Sequence, residues 1–532
     1  MASTMLIVPT VSTLMALSTA ATSPCSPRRF DEDSIVCVCN ATYCDTIDQG
    51  HDPGPSNPIP YWYGYISSRD GQRMDSISGS WSGAMPNKYV FHMSNVTNQT
   101  IMGFGGAVTD AATITIDRLP SGARKNLIHS YYGQGGIGYT FARIPMGSCD
   151  FSTRVYSYDD HDGDLELKHF ALQDEDLNHK IPFIKDAMVI SPTNISLFGS
   201  PWSSPAWMKT NNNMTGKGTL KGQPGEKYYK AWAKYFVKFL EAYRYVGLDI
   251  WGLTAQNEPS DGMISDFAFQ CLGFTPEMQR DFIKLDLGPA LKAAGFEHVK
   301  LMILDDVRTF LPYWAEVILR DTEAAKFVSG IAVHWYEDLF IPTVALDDTY
   351  EQFGEDFFML GTEACELDIV NKSESVRLGS WHSAERYFVD IVEDLSHGVL
   401  GWVDWNLALD MDGGPNWMGN FVDSPIIVNY EKGEFYKQPM FYAMAHFSKF
   451  VPPGAKVVSY TSNTSPSDSG LHQMFFEVEK RGGVQAVANF VNTNTDQTVG
   501  VTIYDPTIGF GMLNYDIPPK SFVTFTWWRN DF

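Results

Sequence analysis

Between residues 99 and 409, short apolar runs alternate with longer amphipathic stretches, the rhythm of β/α units rather than of a sandwich. Eight runs carry strand character: "IMGFGGAVT" (101–109), "GYTFARIPM" (138–146), "ISLFGSPW" (195–202), "LDIWGLTAQNEP" (248–259), "VKLMILDD" (299–306), "GIAVHWY" (330–336), "FFMLGTEAC" (357–365) and "VLGWVDWNLAL" (399–409). Between them lie segments such as "KYYKAWAKYFVKFLEAYRYV" (227–246), whose apolar positions recur every three or four residues and predict a helix. Eight parallel strands over about 300 residues predict an α/β fold, a (β/α)8 TIM barrel. Outside this rhythm, residues 51–98 and 455–532 alternate polar and apolar over short runs such as "VQAVANFVN" and "SFVTFTWW", as antiparallel strands facing one core do. Neither piece is large enough to fold alone, so the N- and C-terminal segments are expected to meet in one β-sandwich attached to the barrel. The expected division is a signal peptide at 1–21, a small Cys-rich antiparallel sheet from 22–50 with 407–439, a sandwich from 51–98 with 455–532, and a catalytic barrel from 99–406 with 440–454.

Charge and cysteine narrow the setting. The 532-residue chain carries a net charge of −24, and no Lys/Arg run interrupts it, so nucleic acid is excluded as a partner and anionic lipid repelled. Leu6 to Leu17 is apolar but too short to span a bilayer, and Ser18-Thr19-Ala20-Ala21 resembles a small-residue cleavage site, although a basic leader is missing. Cys25, Cys37, Cys39 and Cys44 crowd together just beyond it and read as two small disulfide loops. Zinc is the rival, but Cys37-Val38-Cys39 is too tight for the usual ligand spacing. Of three pairings, Cys25–Cys37 with Cys39–Cys44 is preferred. Sequons at Asn40, Asn95, Asn98, Asn194, Asn213, Asn371 and Asn463 fit passage through the secretory pathway as a glycoprotein.

In a TIM barrel the C-terminal strand ends line the mouth that holds the site. Reading off those ends collects Arg143, Asp150, Trp202, Asn257, Glu258, His334, Trp335, Tyr336, Glu363, Cys365, Trp402, Asp404, Trp405 and Asn406. Carboxylates and amides bind hydroxyls and aromatic faces stack on sugar rings, so the set suits a carbohydrate. Glycosidic hydrolysis needs two carboxyls of opposed pKa, one protonated and one charged. Strands four and seven face each other across an eight-membered ring, which makes Glu258 and Glu363 the candidate pair. Asn257 is a candidate for the sugar 2-hydroxyl. Taken alone, Asn-Glu-Pro also reads as a strand-ending turn, Glu363 as a buried partner of Arg143, and Cys365 as inert filler. No Gly-x-Ser-x-Gly elbow, phosphate loop or His-Glu-x-x-His is present, and "GFGGAV" lacks a dinucleotide site's spacing. The chemistry requires no metal or organic cofactor.

The strings "TAQNEP", "FQCLGFTPEMQRDFI", "GIAVHWY", "GTEAC", "VRLGSW", "GWVDWNLAL", "GGPNW" and "FYKQPMFYAMAHFSKF", together with "VCVCNATYCD" and "RIPMGSCDFS", closely resemble the lysosomal glucosylceramidases of glycoside hydrolase family 30. The resemblance spans nearly the whole chain after the leader. It implies a retaining exo-β-glucosidase acting on glucosylceramide in the lysosome, with Glu258 as acid/base and Glu363 as nucleophile. It further implies a sugar pocket of Asp150, Trp202, Asn257, Trp405 and Asn420, with Arg143 supporting the nucleophile and Tyr336 bonding at the carboxylates. Phe151, Phe267, Phe269 and Trp335 are expected to flank the entrance, and His334 and Cys365 to line the site. A saposin-like activator and peripheral contact with membrane lipid are the implied partners. The chain departs from the vertebrate pattern at Gln256, where Glu is usual, at Phe267, where Tyr is usual, and in an acidic loop after strand six. Gln256 is expected to weaken the upward push on the Glu258 pKa. The competing readings are a secreted β-glycosidase for xylosyl, galactosyl or soluble oligosaccharide substrates, and a non-catalytic carbohydrate-binding barrel.

Overall fold

A computed structural model describes residues 23–47, 61–367, 375–509 and 511–530. The expected signal peptide and the Asn371 sequon lie outside the described residues. Eight parallel strands close into a barrel in chain order: β1 (Gly103–Ala107), β2 (Phe141–Pro145), β3 (Ser196–Ser200), β4 (Gly252–Thr254), β5 (Lys300–Val307), β6 (Gly330–His334), β7 (Phe358–Glu363) and β8 (Val399–Asn406). Phe141, Phe198, Met302, Ala332, Leu360 and Val403 fill its interior, so the barrel is a packed core and not a pore. Gly105 lies where an added Cβ would sit 2.3 Å from the Phe141 carbonyl oxygen, which is why the first strand is glycine-rich. The helix predicted over 227–246 runs from Lys227 to Tyr245 and buries Trp232, Phe236, Phe239 and Tyr243 against the strands.

Two further sheets flank the barrel. Strands Pro27–Arg29, Ile35–Asn40, Glu434–Lys437, Ile426–Asn429 and Leu409–Asp410 form a five-stranded sheet tied by disulfides Cys25–Cys37 and Cys39–Cys44. It is not wholly antiparallel, because Leu409–Asp410 runs parallel to Ile426–Asn429. The loop between those two strands reaches the barrel mouth. Nine strands from residues 61–100 and 456–528 form the second sheet, with one parallel pair where Val501–Tyr504 meets Tyr89–His92. This sheet folds over itself, so that Phe91 meets Phe490 edge-on at 5.3 Å across its own core.

Its central strand Gly483–Asn492 departs from simple alternation. Ala486, Ala488 and Phe490 face the sheet's own core, while Val487 and Val491 pack with the barrel's. Both faces are buried because the outer one lies on the barrel helices. Phe522 stacks on Trp381 at 4.4 Å, and His446 bonds Thr524 Oγ1 at 2.8 Å and Ser67 Oγ at 3.0 Å. The second sheet is therefore docked rigidly on the barrel.

Candidate active site

The chain leaves β4 through Ala255 and Gln256 and turns at Asn257-Glu258. Glu258 adopts φ +39°, a left-handed conformation costly for a residue with a side chain and typical of functional sites. Its N–H donates to the Asp305 carbonyl at 2.9 Å, which ties the turn to the end of β5. Glu363 ends β7, three strands round the barrel from β4. Glu258, His334 and Glu363 each bring one side-chain N or O atom within 4.8 Å of the other two. Above them lies a cavity of about 160 Å³ lined by Asp150, Phe151, Trp202, Phe269, Tyr336, Cys365, Leu367, Trp405, Asn420 and Val422. That is small beside the roughly 300–1,000 Å³ of most ligand clefts, which suits one ring rather than a run of rings.

A buried polar net holds the two carboxyls. The Arg143 guanidinium touches Glu363 through Nη1, while Nη2 donates to Asn257 Oδ1 at 2.8 Å and Asp305 Oδ2 at 2.9 Å. Tyr336 Oη donates to Glu363 at 2.8 Å. His334 sets one ring nitrogen 3.2 Å from Glu258 and the other 3.0 Å from Asp305. Burial works against charge on His334, but Glu363, Asp305 and Glu258 together raise it to about 10, so the ring is an imidazolium bridging two carboxylates. Asp305 is buried, yet Arg143, His334 and the Thr254 hydroxyl hold it well below the usual range. Asp305 is missing from the residues singled out in the sequence, and it anchors the whole net.

Burial pushes Glu258 up, but bonds to His334 and Asp261 and the charge of Arg143 bring it below its ordinary value. Burial and the charge of Glu258 push Glu363 above its own, against Arg143, His334 and the Tyr336 bond. Their surroundings thus shift the two carboxyls in opposite directions. Glu258, His334 and Glu363 also meet the spacing of a metal triad. Positive charge is already supplied there by Arg143 and by His334, both of whose nitrogens are engaged. Asp150 accepts from Asn420 Nδ2 at 3.1 Å, and burial raises it to about 7. Trp202 and Trp405 stack 5.1 Å apart, with the Arg143 guanidinium over both rings.

Several expected residues sit elsewhere. Trp335 does not flank the entrance: it is buried, donates Nε1 to the Cys365 carbonyl at 3.1 Å and packs on Tyr387 and Trp402. Trp402 and Asp404 face the barrel's outer helix, bonding Asp390 and Tyr387, because strand alternation gives the inner face to Val403 and Trp405. Asn406 accepts from Thr109. Phe267 is outside the cavity wall and packs edge-on against Phe269 at 4.5 Å. Cys365 is a buried thiol pushed well above its usual pKa by burial, 3.5 Å from Tyr336 Oη. Of the described sequons, Asn95, Asn98, Asn194, Asn213 and Asn463 are exposed and Asn40 is half-buried.

Gln256 turns its amide nitrogen to the carbonyls of Pro201 and Trp202, at 2.9 Å each, and of Asn257, at 3.0 Å. A Glu there meets three acceptors with no donor unless it is protonated. Gln256→Glu is expected to cost about 1–3 kcal/mol at about pH 7 and less at about pH 5, read from thermal unfolding. The sign follows because a carboxyl kept neutral by folding loses stability as pH rises.

A closed barrel that sets two carboxyls from the ends of β4 and β7 over a small aromatic cavity points to a glycoside hydrolase. The chain belongs to glycosyl hydrolase family 30: the model of that family's TIM-barrel domain matches residues 101–451. It is 45% identical over 511 residues to a lysosomal acid glucosylceramidase of Mus musculus, covering 95% of this chain and 96% of that protein. Among solved structures it is similar to SrfJ from Salmonella typhimurium, with TM-score 0.78, 26% identity, and 88% of this chain and 100% of that one covered. It is also similar to the endo-β1,6-glucanase BT3312, with TM-score 0.75, 26% identity and the same coverage.

Proposed function

We propose that this enzyme is a retaining exo-β-glucosidase that cleaves glucosylceramide to glucose and ceramide. The observation carrying the reading is the approach of the two carboxyls to within 4.8 Å, close to the roughly 5–5.5 Å separation that retention uses. Glu363 attacks the anomeric carbon while Glu258 protonates the departing ceramide oxygen, leaving glucose bound through an ester. Glu258 then takes a proton from water, which releases glucose with its β configuration. These roles need Glu258 protonated and Glu363 charged, whereas the surrounding protein groups by themselves shift the two the other way. An entering sugar supplies the change. The Glu258 side chain is 17% exposed and loses that water, whereas Glu363, 6% exposed, keeps its contacts with Arg143 and Tyr336.

The small cavity favours a single terminal glucose. Asp150 and Asn420, with Asn257 beside the acid, are the proposed hydroxyl partners, and Trp202 and Trp405 form the wall. Loops on the same barrel face expose Leu339 (68%), Phe340 (78%) and Ile264 (52%), apolar groups suited to lipid. The charge of −24 opposes anionic bilayers, so we assign the approach to these groups and to a saposin-like activator of complementary charge.

We place the enzyme in an acidic lumen, and its buried groups support this. Burial raises Asp150, Glu366, Asp390 and Asp423 to about 7 and Asp338 to about 8. Their ordinary values lie near 4, so folding holds extra protons between about pH 4 and 7 and stability falls as pH rises through that window. His334, raised to about 10, loses stability above about pH 6.5. His446, lowered by burial to about 3, acts oppositely below about pH 6.5 and is outnumbered. The melting temperature is expected to be higher at about pH 5 than at about pH 7.5; calorimetry showing the reverse contradicts this account.

The test of function is incubation at about pH 5 with glucosylceramide in mixed micelles, beside β-1,6-glucan oligomers and aryl xylosides and galactosides. Glucosylceramide is expected to be the preferred substrate, with β-glucose the first anomer seen by NMR. First release of the α anomer overturns retention, and preference for another sugar favours the secreted alternative. Failure of a cyclitol epoxide to label Glu363 points to a barrel that only binds.

A further inference from the structure

The segment "SYDDHDGDLELKHF" (157–170) belongs to the long connection after β2 and contributes nothing to the wall of the sugar cavity. It is a built loop. Gly163 turns it at φ +78°, and the N–H groups of Asp164 and Leu167 donate to the carbonyls of His161 and Asp164 at 3.2 Å and 2.9 Å. Its start is pinned twice, by Trp207 Nε1 donating to the Asp159 carbonyl at 2.9 Å and Ala171 N–H donating to the Tyr158 carbonyl at 2.9 Å. Leu167 is buried, and Glu166 pairs at 2.7 Å with Lys234 of the helix Lys227–Tyr245.

This folding gathers Asp159, Asp164 and His169, each bringing one ligand atom within 4.8 Å of the other two. His169 Nδ1 stands 2.8 Å from Asp164 Oδ2, and the rings of His161 and His169 stack at 3.8 Å. Two imidazoliums repel at that distance, so at least one ring is neutral and has a lone pair to give. Asp159 supplies an independent sign. It is 2% exposed; its Oδ1 accepts from the His161 N–H at 3.2 Å, while the buried Oδ2 meets no donor among the described residues. A buried carboxylate oxygen without a donor is costly and calls for a cation. Beside Glu258 and Glu363 that cation is Arg143, but among the described residues no Lys or Arg pairs with Asp159 or Asp164.

We infer that Asp159, Asp164 and His169 form a binding site for a divalent cation of the zinc class, which staples residues 159–169 into one turn. An imidazole beside two carboxylates selects zinc over calcium or magnesium, which take oxygen ligands. Ligand atoms on a tetrahedral zinc lie about 3.4 Å apart, a small contraction from the present spread. The His169 side chain, 54% exposed, is free to make that movement, while the Asp159 and Asp164 side chains are held in the loop. Water takes the fourth position.

The experiment is titration calorimetry of the chelator-treated full chain with Zn2+ and with Ca2+ at about pH 7, where imidazole is mostly unprotonated. One Zn2+ per chain is expected at this site, bound more tightly than Ca2+. His169→Ala and Asp159→Asn are each expected to weaken Zn2+ binding by more than about 100-fold, since loss of a ligand exceeds the effect of losing an outer partner. Zinc-edge X-ray absorption is expected to show an imidazole among the ligands of the bound ion. Thermal unfolding without metal checks that both variants are folded. His169 is largely exposed, so its variant decides the matter alone if Asp159→Asn does not fold. Absence of saturable Zn2+ binding overturns the inference. Unchanged affinity in either folded variant overturns it too, because the ion then sits on other groups, and so does tighter binding of Ca2+.

Discussion

Replacing Glu363 by Gln is expected to lower kcat/KM for β-glucosides by about four orders of magnitude, or about 5 kcal/mol of transition-state stabilisation, while the protein stays folded. An amide oxygen is too weak a nucleophile to form the glucosyl ester, and of the other carboxyls near the cavity Asp150 is held by Asn420. Asp305 is locked by Arg143, His334, Thr254 and Thr362. Removing a buried anion often unfolds a protein by stranding its partner cation. Here Arg143 keeps its 2.9 Å contact with Asp305, and Tyr336 can still donate to the new amide oxygen. Single-turnover rates with thermal unfolding of the same sample check both parts. A rate loss under about tenfold would remove Glu363 from the chemistry.

The barrel is legible because each of its eight strands is an apolar run bounded by polar residues, and because the C-terminal ends of such strands converge. That convergence brings Arg143, Glu258 and Glu363 into one group without any geometry. The same rule collects too much, since it ignores which face of the strand a residue occupies. His334 and Tyr336 point inward, and the intervening Trp335 goes to the helices; Val403 and Trp405 likewise take the inside from Trp402 and Asp404. Strand parity is present in the sequence and separates these pairs.

Asp305 is harder to see. β5 carries a bulge: Leu304 and Asp305 adopt φ +68° and +61°, and the pairing with β6 slips between Leu304 and Asp306. The run "VKLMILDD" gives no sign of this slip, so alternation does not reveal that Asp305 joins Arg143 and His334 at the centre. The strand Gly483–Asn492 reads as one-faced because its neighbours alternate, yet docking on the barrel buries its second face.

Replacing Glu258 by Gln is expected to give a defect that depends on the leaving group. With glucosylceramide, whose alkoxide is a poor leaving group, kcat/KM should fall about 10²–10⁴-fold, the usual worth of a general acid. With an activated aryl glucoside, departure needs no proton, so Glu363 still attacks and the glucosyl ester forms. Breakdown of that ester then lacks the base that activates water, and the intermediate accumulates. A burst of phenol release, with added hexose mass on the peptide containing Glu363, is the expected record. Azide, which attacks without a base, should restore turnover and yield β-glucosyl azide. The amide oxygen that replaces the Glu258 carboxylate can still accept from His334, whose second nitrogen remains on Asp305, so the net beneath the site keeps its geometry. An equal loss on activated and unactivated substrates, with no burst, would mean that Glu258 only shapes the turn. The defect at Glu363 lacks this dependence, because every substrate needs the nucleophile and only some need the acid.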